Sequence, residues 1–451
     1  MHPILIKIRS AIKGTEFEGK VYIAGGYVRS LVMHKTPNDI DIVVELPDGG
    51  IKLANYLFNY FQGSITTNVT HPVIFARFGT AQMVIDDEDI EFVMSRRESY
   101  IPGSRKPIEV MFGTIAEDAA RRDFTINTLL LNISTQQIID PLGTALDDIS
   151  LGLIKLSNRP EEIFGEDPLR MLRAIRFACS LGFNIDPFTW HAIERSASTL
   201  VNISSERIRD ELVKIVMSDD PKRGIDMLIT SGLSKIFLPE MILLQGLEQG
   251  RHHRHDAYEH TTHVLSYVRP DPLLRMAALL HDIAKPNTIS IEEGQVHFYA
   301  HAKESATMAH DIMMRLKFSY SEAASAAAII REHMSIMGTK GYTPKLVRRL
   351  YRELGDEIFY KLIELREADG KDHIDLQVSS FREFADSVLA DDRAQKVAIK
   401  PPVDGFDIMT AFSIQPGVKV GELLKRAMDL YLETPTLTKA DILNVLRTEI
   451  S

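Results

Sequence analysis

The sequence has a single cysteine, Cys179, among its 451 residues. An intramolecular disulfide is therefore impossible, and no zinc site can be built from several thiolates. The chain also lacks any apolar run approaching the ~18 residues that a membrane helix needs. Its apolar N-terminal stretch is interrupted by Lys7 and Arg9, unlike the core of a signal peptide. These absences predict a cytoplasmic protein.

Acidic residues outnumber basic ones, and the formal net charge is −10. This balance excludes a uniformly basic nucleic-acid coat, although a local basic groove is compatible with it. Hydrophobic residues make up 45% of the chain and charged residues 25%, as in ordinary globular proteins. The length predicts several domains.

The residue pattern changes near position 160. Before it, short apolar runs such as VYIAGG and DIDIVVEL alternate with helical segments, and after it the periodicity is helical. We therefore predict an α+β fold, with an α/β head followed by an all-helical body. The predicted regions are a head at 1–150, a neck at 151–245, a histidine-rich domain at 246–375 and a helical tail at 376–451.

Two aspartates in the run NDIDIVV are the first chemical signal. On a strand, Asp39 and Asp41 point to the same side, roughly 7 Å apart, where they could share magnesium ions that stabilise a phosphoryl displacement. Glu91 is a candidate third carboxylate. Gly25 and Gly26 lie just upstream and would let a triphosphate approach backbone N–H groups. The alternative is that these carboxylates form only the solvated face of an amphipathic sheet.

The pair GGYVRS and NDIDIVV resembles the head of polymerase-β-like nucleotidyltransferases. More narrowly, it resembles class II tRNA nucleotidyltransferases and their bacterial poly(A) polymerase relatives. The stretches RRDFTINTLL, DPLGTALDDI, EDPLRMLRAIRFA and SSERIRDEL continue the match in order. One departure is Ser30, where the family usually has Asp after the position of Arg29. The resemblance implies an α+β polymerase-β-like head and a helical body.

The run RRDFTIN places Arg122, Asp123 and Asn127 close together. Asp123 and Asn127 are four residues apart and would share a helical face, where they could bind ribose hydroxyls while the arginine meets phosphate. The resemblance implies the same sugar-binding role. The alternative is a helix start capped by Asp123.

The stretch EDPLRMLRAIRFA carries the prediction of base selectivity. Asp167 and Arg170, three residues apart on a helix, could pair with the amino group and ring nitrogen that CTP and ATP share, and reject GTP and UTP. By resemblance this is a protein template for the incoming base; the alternative is an exposed ion pair. The predicted nucleotide-binding set is Gly25, Gly26, Arg29, Arg122, Asp123, Asn127, Glu166, Asp167, Arg170 and Arg173.

Residues 101–113 (IPGSRKPIEVMFG) are rich in proline and glycine and predict a flexible loop. In the family that the chain resembles, a loop here supports the switch from C to A addition. Its presence favours full CCA addition.

Histidines and carboxylates recur between residues 255 and 372, in HDAYEHTTHVL, LLHDIAKP, FYAHAKESA, REHM and READGKD. This donor set suits a divalent transition metal. The order resembles the HD phosphohydrolase superfamily, with the adjacent His-Asp pair predicted inside an apolar helix. The alternative is a set of structural or solvated histidines. The candidate ligands are His260, His281, Asp282, His301, His333 and Asp369.

The last region resembles the helical C-terminal segment of tRNA nucleotidyltransferases that carry an HD domain. RNA contact is a hypothesis for basic residues there and in KLVRRLYR, namely Lys345, Arg348, Arg349, Arg352, Lys419, Lys425 and Arg426.

The resemblance implies a magnesium-dependent enzyme that adds CCA to the 3′ end of tRNA from CTP and ATP. Three alternatives stay open: an enzyme that adds only A or poly(A), an HD phosphohydrolase acting on RNA 3′ phosphates as the main activity, and a non-catalytic RNA-binding protein.

Overall fold

The computed structural model describes residues 2–37, 39–99, 109–250, 255–293, 295–336, 342–371, 379–394 and 401–450. The chain forms two compact units, Met1–Phe237 and Leu238–Ser451. Over the described residues, we find no helix with both the length and the apolar character needed to cross a membrane.

The first unit contains a seven-stranded mixed sheet. Its strands are β1 (Val21–Ala24), β2 (Ile40–Val44), β3 (Val73–Phe75), β4 (Thr80–Ile85), β5 (Glu88–Met94), β8 (Leu130–Asn132) and β9 (Ile138–Ile139). They lie in the order β3-β4-β5-β2-β1-β8-β9, with β2 antiparallel to β1 and parallel to β5.

Strand β2 is buried on both faces except at one position. Ile40 and Ile42 are 3% and 0% exposed, and Val43 packs with Tyr22 on the other face. Asp41 is exposed between them. The apolar neighbours therefore anchor the strand and hold this carboxylate at the sheet surface.

Short strand pairs flank the sheet. Strands β6 (Arg96–Ser99) and β7 (Glu109–Phe112) form a hairpin, and β10 (Leu153–Ile154) pairs with β11 (Asn184–Ile185). The prediction of a flexible loop is therefore wrong for residues 109–112, where alternating EVMF pairs as a strand; residues 101–108 lie outside the described part.

The helices of the first unit come before, between and after these strands in the chain. They are α1 (Pro3–Ile12), α2 (Gly26–Val32), α3 (Gly49–Phe61), α4 (Ile115–Ala120), α5 (Ala145–Ser150), α6 (Pro160–Glu166), α7 (Arg170–Leu181), α8 (Pro187–Ser196), α9 (Ser205–Val216), α10 (Pro221–Thr230) and α11 (Ser234–Phe237).

Over its described residues, the second unit is helical apart from one hairpin, β12 (Ile289–Glu292) with β13 (Gln295–Phe298). A helical body is thus confirmed, with a short hairpin that the helical prediction missed. Helix α17 is interrupted at Gly355, whose φ is +73°. The helices are α12 (Ala257–Tyr267), α13 (Pro272–Leu280), α14 (Lys285–Thr288), α15 (His301–Arg315), α16 (Tyr320–Glu332), α17 (Pro344–Gly370), α18 (Ser379–Ala394), α19 (Gly405–Phe412), α20 (Val418–Glu433) and α21 (Lys439–Ile450).

Candidate functional site

Three carboxylates lie together beside β2. Asp41 on β2 is directly opposite Glu91 on β5, so their side chains share one face, and Asp39 comes immediately before the strand. Partial desolvation by the walls of the cavity raises the pKa of Asp41; Arg122 opposes this rise and the charge of Asp39 adds to it. Partial desolvation and the charge of Asp41 raise the pKa of Glu91. These crowded oxygens fit a hard divalent cation, whose charge would relieve their repulsion.

The predicted Gly-Gly turn joins β1 to α2. Gly25 has a φ of +66°, which L side chains rarely adopt, and a Cβ there would lie 3.5 Å from Arg122 Nη1. Gly26 begins α2, and Arg29 on that helix donates to the side-chain oxygen of Asn127. The turn thus brings bare backbone next to two arginines.

Asp123 is the centre of a buried hydrogen-bond network. Its Oδ1 accepts from Asn127 Nδ2 at 2.8 Å, and its Oδ2 accepts from Arg173 Nε and Nη2 at 2.8 and 2.6 Å. Burial alone would raise the pKa of Asp123, but the charge of Arg173 and the hydrogen bonds from Asn127 and Arg173 together hold that pKa below its usual value. The predicted α-helix at RRDFTIN is wrong: only Thr125–Asn127 form a 3₁₀ turn, after an extended Phe124. Asp123 and Asn127 nevertheless touch.

Arg121 and Arg122, the two arginines before Asp123, donate hydrogen bonds to the same buried carboxylate. Asp118 on α4 accepts from Arg121 at 2.7 Å and from Arg122 at 2.9 Å. Burial favours a raised pKa at Asp118, yet the two guanidinium groups hold it below the usual value. Arg122 is therefore fixed beside the glycine turn.

The prediction that Asp167 and Arg170 share a helical face is wrong. Helix α6 ends at Glu166 and α7 begins at Arg170, and Asp167 between them is extended, because a residue before proline disfavours helical geometry. Asp167 instead accepts from Arg207 on α9 at 2.7 and 3.1 Å. Arg170 donates to Glu166 at 3.0 Å. The two residues still open onto one cavity.

That cavity, of about 880 Å³, unites the head residues named from the sequence. Asp39, Asp41, Glu91 and the predicted nucleotide-binding residues all line it except Glu166. Eight arginines and five carboxylates line its walls, so an acidic chain presents a locally basic cavity. The lining residues are Gly25, Gly26, Arg29, Asp39, Asp41, Val43, Phe75, Thr80, Glu91, Val93, Arg96, Arg121, Arg122, Asp123, Asn127, Asp167, Leu169, Arg170, Arg173, Arg176, Phe177 and Arg207.

Arg176, Phe177 and Arg207 line the cavity, but the sequence did not predict them as site residues. Arg29, Arg173 and Arg176 gather around the ring of Phe177, at 5.0, 5.5 and 4.4 Å from its centroid. The three-residue spacing of Arg173 and Arg176 on one helix indicates that both lie on the same face, which could have predicted Arg176 as a site residue. Arg207 lies in the run SSERIRDEL, but its spacing does not indicate a place in the cavity, because its partner is forty positions away.

The six candidate ligands of the second unit converge from helix ends and one helix face. His260 lies on α12, whereas the other five lie at or near the ends of α13, α15, α16 and α17. None is more than 8% exposed. The prediction of His281 and Asp282 inside a helix is wrong, since α13 ends at Leu280.

Short distances connect these six side chains. His260 Nε2 lies 3.1 Å from Asp369 Oδ1 and 3.4 Å from His281 Nε2. Asp282 lies 3.1 Å from His281 Nε2 through Oδ2 and 3.4 Å from His301 Nε2 through Oδ1. His260, His281 and Asp369 form one possible metal-binding group, and Asp282, His301 and His333 form another.

Backbone carbonyls fix the orientation of three of the imidazoles. The Nδ1 atoms of His281, His301 and His333 lie 2.8, 2.8 and 2.6 Å from the carbonyls of Ala278, Phe298 and Ile330. A carbonyl only accepts, so each Nδ1 carries the proton and each Nε2 offers a lone pair to the cluster. Converging lone pairs and carboxylates fit a divalent cation of the borderline class.

Charge and burial keep these groups in the forms that bind metal. Burial opposes ionisation of Asp282 and Asp369. The positive charge of Lys285 holds the pKa of Asp282 well below its usual range, and that of Arg366 does the same for Asp369. Burial, reinforced by neighbouring histidines, lowers the pKa of His333 to about 3. The carboxylates are therefore ionised and this imidazole is neutral at pH 7.

Most of the basic residues suggested for RNA contact are ion-paired. Lys345 pairs with Glu433, Arg348 with Asp392, Arg349 with Glu332 and Glu353, Arg352 with Glu353, and Arg426 with Glu449. Lys419 and Lys425 are exposed. Their contact with RNA stays a prediction.

A sheet that carries paired carboxylates beside a glycine turn, followed by a helical body with a histidine-aspartate cluster, defines a nucleotidyltransferase with an HD domain. Residues 21–155 match the family described as Poly A polymerase head domain. Residues 182–243 match the family described as probable RNA and SrmB-binding site of polymerase A, and residues 258–370 match the HD domain family.

Curated relatives name the family. The A-adding tRNA nucleotidyltransferase of Deinococcus radiodurans is 33% identical over 69% of this chain and 74% of its own length. The CC-adding tRNA nucleotidyltransferase of Thermus thermophilus is 28% identical over 92% and 91%. The CCA-adding enzyme of Limosilactobacillus reuteri is 37% identical over 51% and 52%. The chain belongs to the tRNA nucleotidyltransferase family and is an enzyme that uses a divalent metal.

The fold agrees with a solved relative. The Bacillus stearothermophilus CCA-adding enzyme in complex with CTP superimposes with a TM-score of 0.72 at 20% identity, covering 100% of this chain and 98% of the other.

Proposed function

We propose that this enzyme adds C, C and A in turn to the 3′ end of tRNA, with CTP and ATP as substrates, in the cytoplasm. The observation that carries the proposal is the single basic cavity that joins the sheet carboxylates, the Gly25–Gly26 turn and the Asp167–Arg170 pair. CCA-adding enzymes among the relatives and the solved structures support it.

The residues of the cavity divide the work of the reaction. The RNA 3′-hydroxyl attacks the α-phosphorus in line and pyrophosphate leaves. Mg²⁺ held by Asp39 and Asp41 would neutralise charge on the phosphate oxygens, with Glu91 completing the carboxylate set. Arg122 and the turn at Gly25 face the triphosphate.

Ribose and base would bind on the arginine-rich side of the same cavity. Asn127 is oriented by Asp123 and stands next to the glycine turn, where a ribose would lie. The carboxylate of Asp167 is held by Arg207, and Arg170 is held by Glu166, so acceptor and donor are both set before a base arrives. Such preset groups favour the edge shared by CTP and ATP and leave GTP and UTP unsatisfied.

The product of the reaction separates this proposal from its neighbours, because relatives named for A, CC and CCA addition all resemble the chain. The test uses tRNA transcripts that end before CCA, after C and after CC, each with labelled CTP, ATP, GTP or UTP and Mg²⁺. C on the first two and a single A on the third would support CCA addition.

Other products point elsewhere. A alone on the CC-ending transcript indicates an A-adding enzyme, C alone a CC-adding enzyme, and repeated A a poly(A) polymerase. No incorporation at all would overturn the proposal.

A second activity is favoured by the six converging ligands. We propose that they hold a divalent transition metal and that this site hydrolyses 3′-phosphates on RNA, leaving the hydroxyl that the head extends. The test supplies tRNA ending in a 3′-phosphate, with Mn²⁺, Ni²⁺ or Zn²⁺ added singly. Release of inorganic phosphate by the wild type, but not by His281→Ala, would support it; equal release by both would contradict it.

A further inference from the structure

One edge of the catalytic sheet exposes apolar side chains. On β3, the outermost strand, Val73, Ile74 and Phe75 are 57%, 43% and 46% exposed. Exposed apolar residues in succession on an edge strand are unfavourable unless something covers them. Phe75 differs from its two neighbours because it lines the catalytic cavity.

The strand register places Phe75 on the catalytic face. Phe75 is opposite Thr80 on β4, Thr80 is opposite Val93 on β5, and Val93 is opposite Val43 on β2. Directly opposed residues share a face, and Val43 shares its face with Asp41 two positions earlier. Three strand spacings separate Phe75 from β2, about 14 Å between backbones. A nucleotide fits on that scale.

The two sides of β2 have different chemistry. The β1 side carries the glycine turn, Arg122 and Asp123, which suit a triphosphate and a ribose. The β5-β4-β3 side carries Val93, Thr80 and Phe75. In an in-line displacement the attacking oxygen and the leaving group lie on opposite sides of phosphorus. The RNA end must therefore approach opposite to the pyrophosphate.

We propose that Phe75 stacks on the 3′-terminal base of the RNA that is being extended. The inference rests on the proposed function and adds a binding residue for the acceptor. A growing end presents a different terminal base at successive steps, and stacking on an aromatic ring tolerates every base because each has a π-face. A specific hydrogen-bonding contact would not.

The first experiment separates acceptor binding from nucleotide binding. Phe75→Ala should raise KM for a tRNA ending before CCA by about 5- to 150-fold, the range for loss of one base–aromatic stack. KM for CTP should stay within about twofold, and Phe75→Tyr should restore the wild-type value. Ile74→Ala is the matched control, since Ile74 is equally exposed but points to the opposite face. An unchanged Tm excludes misfolding.

The second experiment varies the terminal base. Transcripts ending in A, in U or in an abasic nucleotide are compared in wild type and Phe75→Ala. Stacking predicts the largest difference for A and none for the abasic end. An effect on KM for CTP, or an equal loss with abasic RNA, would overturn the inference. An inactive wild type would instead contradict the proposed function itself.

Discussion

The arginine-lined cavity of the first unit and the histidine-aspartate cluster of the second unit differ in how far solvent reaches their polar side chains. Asp39, Asp41 and Glu91 are exposed at the sheet surface inside an open, arginine-lined cavity. The six histidine and aspartate ligands are at most 8% exposed. This difference fits the proposed roles, because an open cavity can admit the end of an RNA, whereas a buried cluster can keep a bound ion in place between substrates.

The two regions also position their polar groups by different means. In the head, side chains hold one another, as Arg173 holds Asp123 and Arg207 holds Asp167. In the cluster, backbone carbonyls hold His281 and two other imidazoles. A substitution at Asp123 or Asp167 should therefore disturb its arginine partner, whereas loss of one of these three imidazoles should leave the other two oriented by their carbonyls.

Removing the paired carboxylates should have the largest effect on activity. Asp39→Ala with Asp41→Ala should lower nucleotide addition by at least about 10³-fold, because charge stabilisation at the reacting phosphate is lost. Hydrolysis at the cluster should be retained. Labelled-CTP incorporation and phosphate release are measured on the same preparation. Loss of both activities would show that the two sites are not separate.

The reciprocal change removes the cluster. His281→Ala with Asp282→Ala should reduce bound transition metal, measured by elemental analysis, by about tenfold or more, while CTP incorporation stays within about twofold. Because Asp282 is the partner of buried Lys285, this variant can lose stability. His301→Gln provides the second variant, since it removes one ligand and leaves that ion pair. Full metal content in both variants would contradict the assignment.

A substitution at Asp118 tests whether ion pairs between side chains stabilise the first unit. Asp118→Asn leaves Arg121 and Arg122 without their buried counter-ion and should cost about 3–5 kcal/mol of unfolding free energy. Fluorescence of Trp190, the one tryptophan, follows unfolding of the same unit.

The pH dependence of that loss has a definite sign. The pKa of Asp118 is lowered in the folded chain, so its stabilisation is present above the unfolded value of about 3.9 and is lost as pH falls through the lower, folded value. The gap between wild type and Asp118→Asn should therefore be full at pH 7 and shrink below about pH 4. A gap independent of pH would show that the ionised carboxylate is not what stabilises the unit.

Short-range patterns predicted much of both regions. Alternation over NDIDIVV placed Asp41 on the exposed face of a buried strand, and the ordered histidines identified the cluster. The errors came from longer-range effects. Pro168 favours an extended backbone at Asp167. The carboxylate of Asp167 then accepts from Arg207, which lies on another helix. Side-chain networks of this kind depend on packing between distant segments, which spacing alone does not encode.

The smallest expected effect concerns Cys179, on the helix that also carries Arg173 and Arg176 into the cavity. Burial raises the pKa of its thiol to about 12. Its sulfur lies 3.3 Å from the position that a Cβ at Gly224 would take, so α10 packs closely over it.

At pH 8 the native thiol should react with iodoacetamide at least about 10³-fold more slowly than in the unfolded chain, because so little thiolate is present. Mass spectrometry of timed samples measures this rate. If ion pairs between side chains stabilise the first unit, Asp118→Asn should accelerate labelling of Cys179, whereas His301→Gln in the second unit should leave the labelling rate unchanged. Fast labelling of the wild type would mean that α7 opens readily. The interactions among side chains of the first unit would then not hold the helix that carries Arg173 and Arg176 in place.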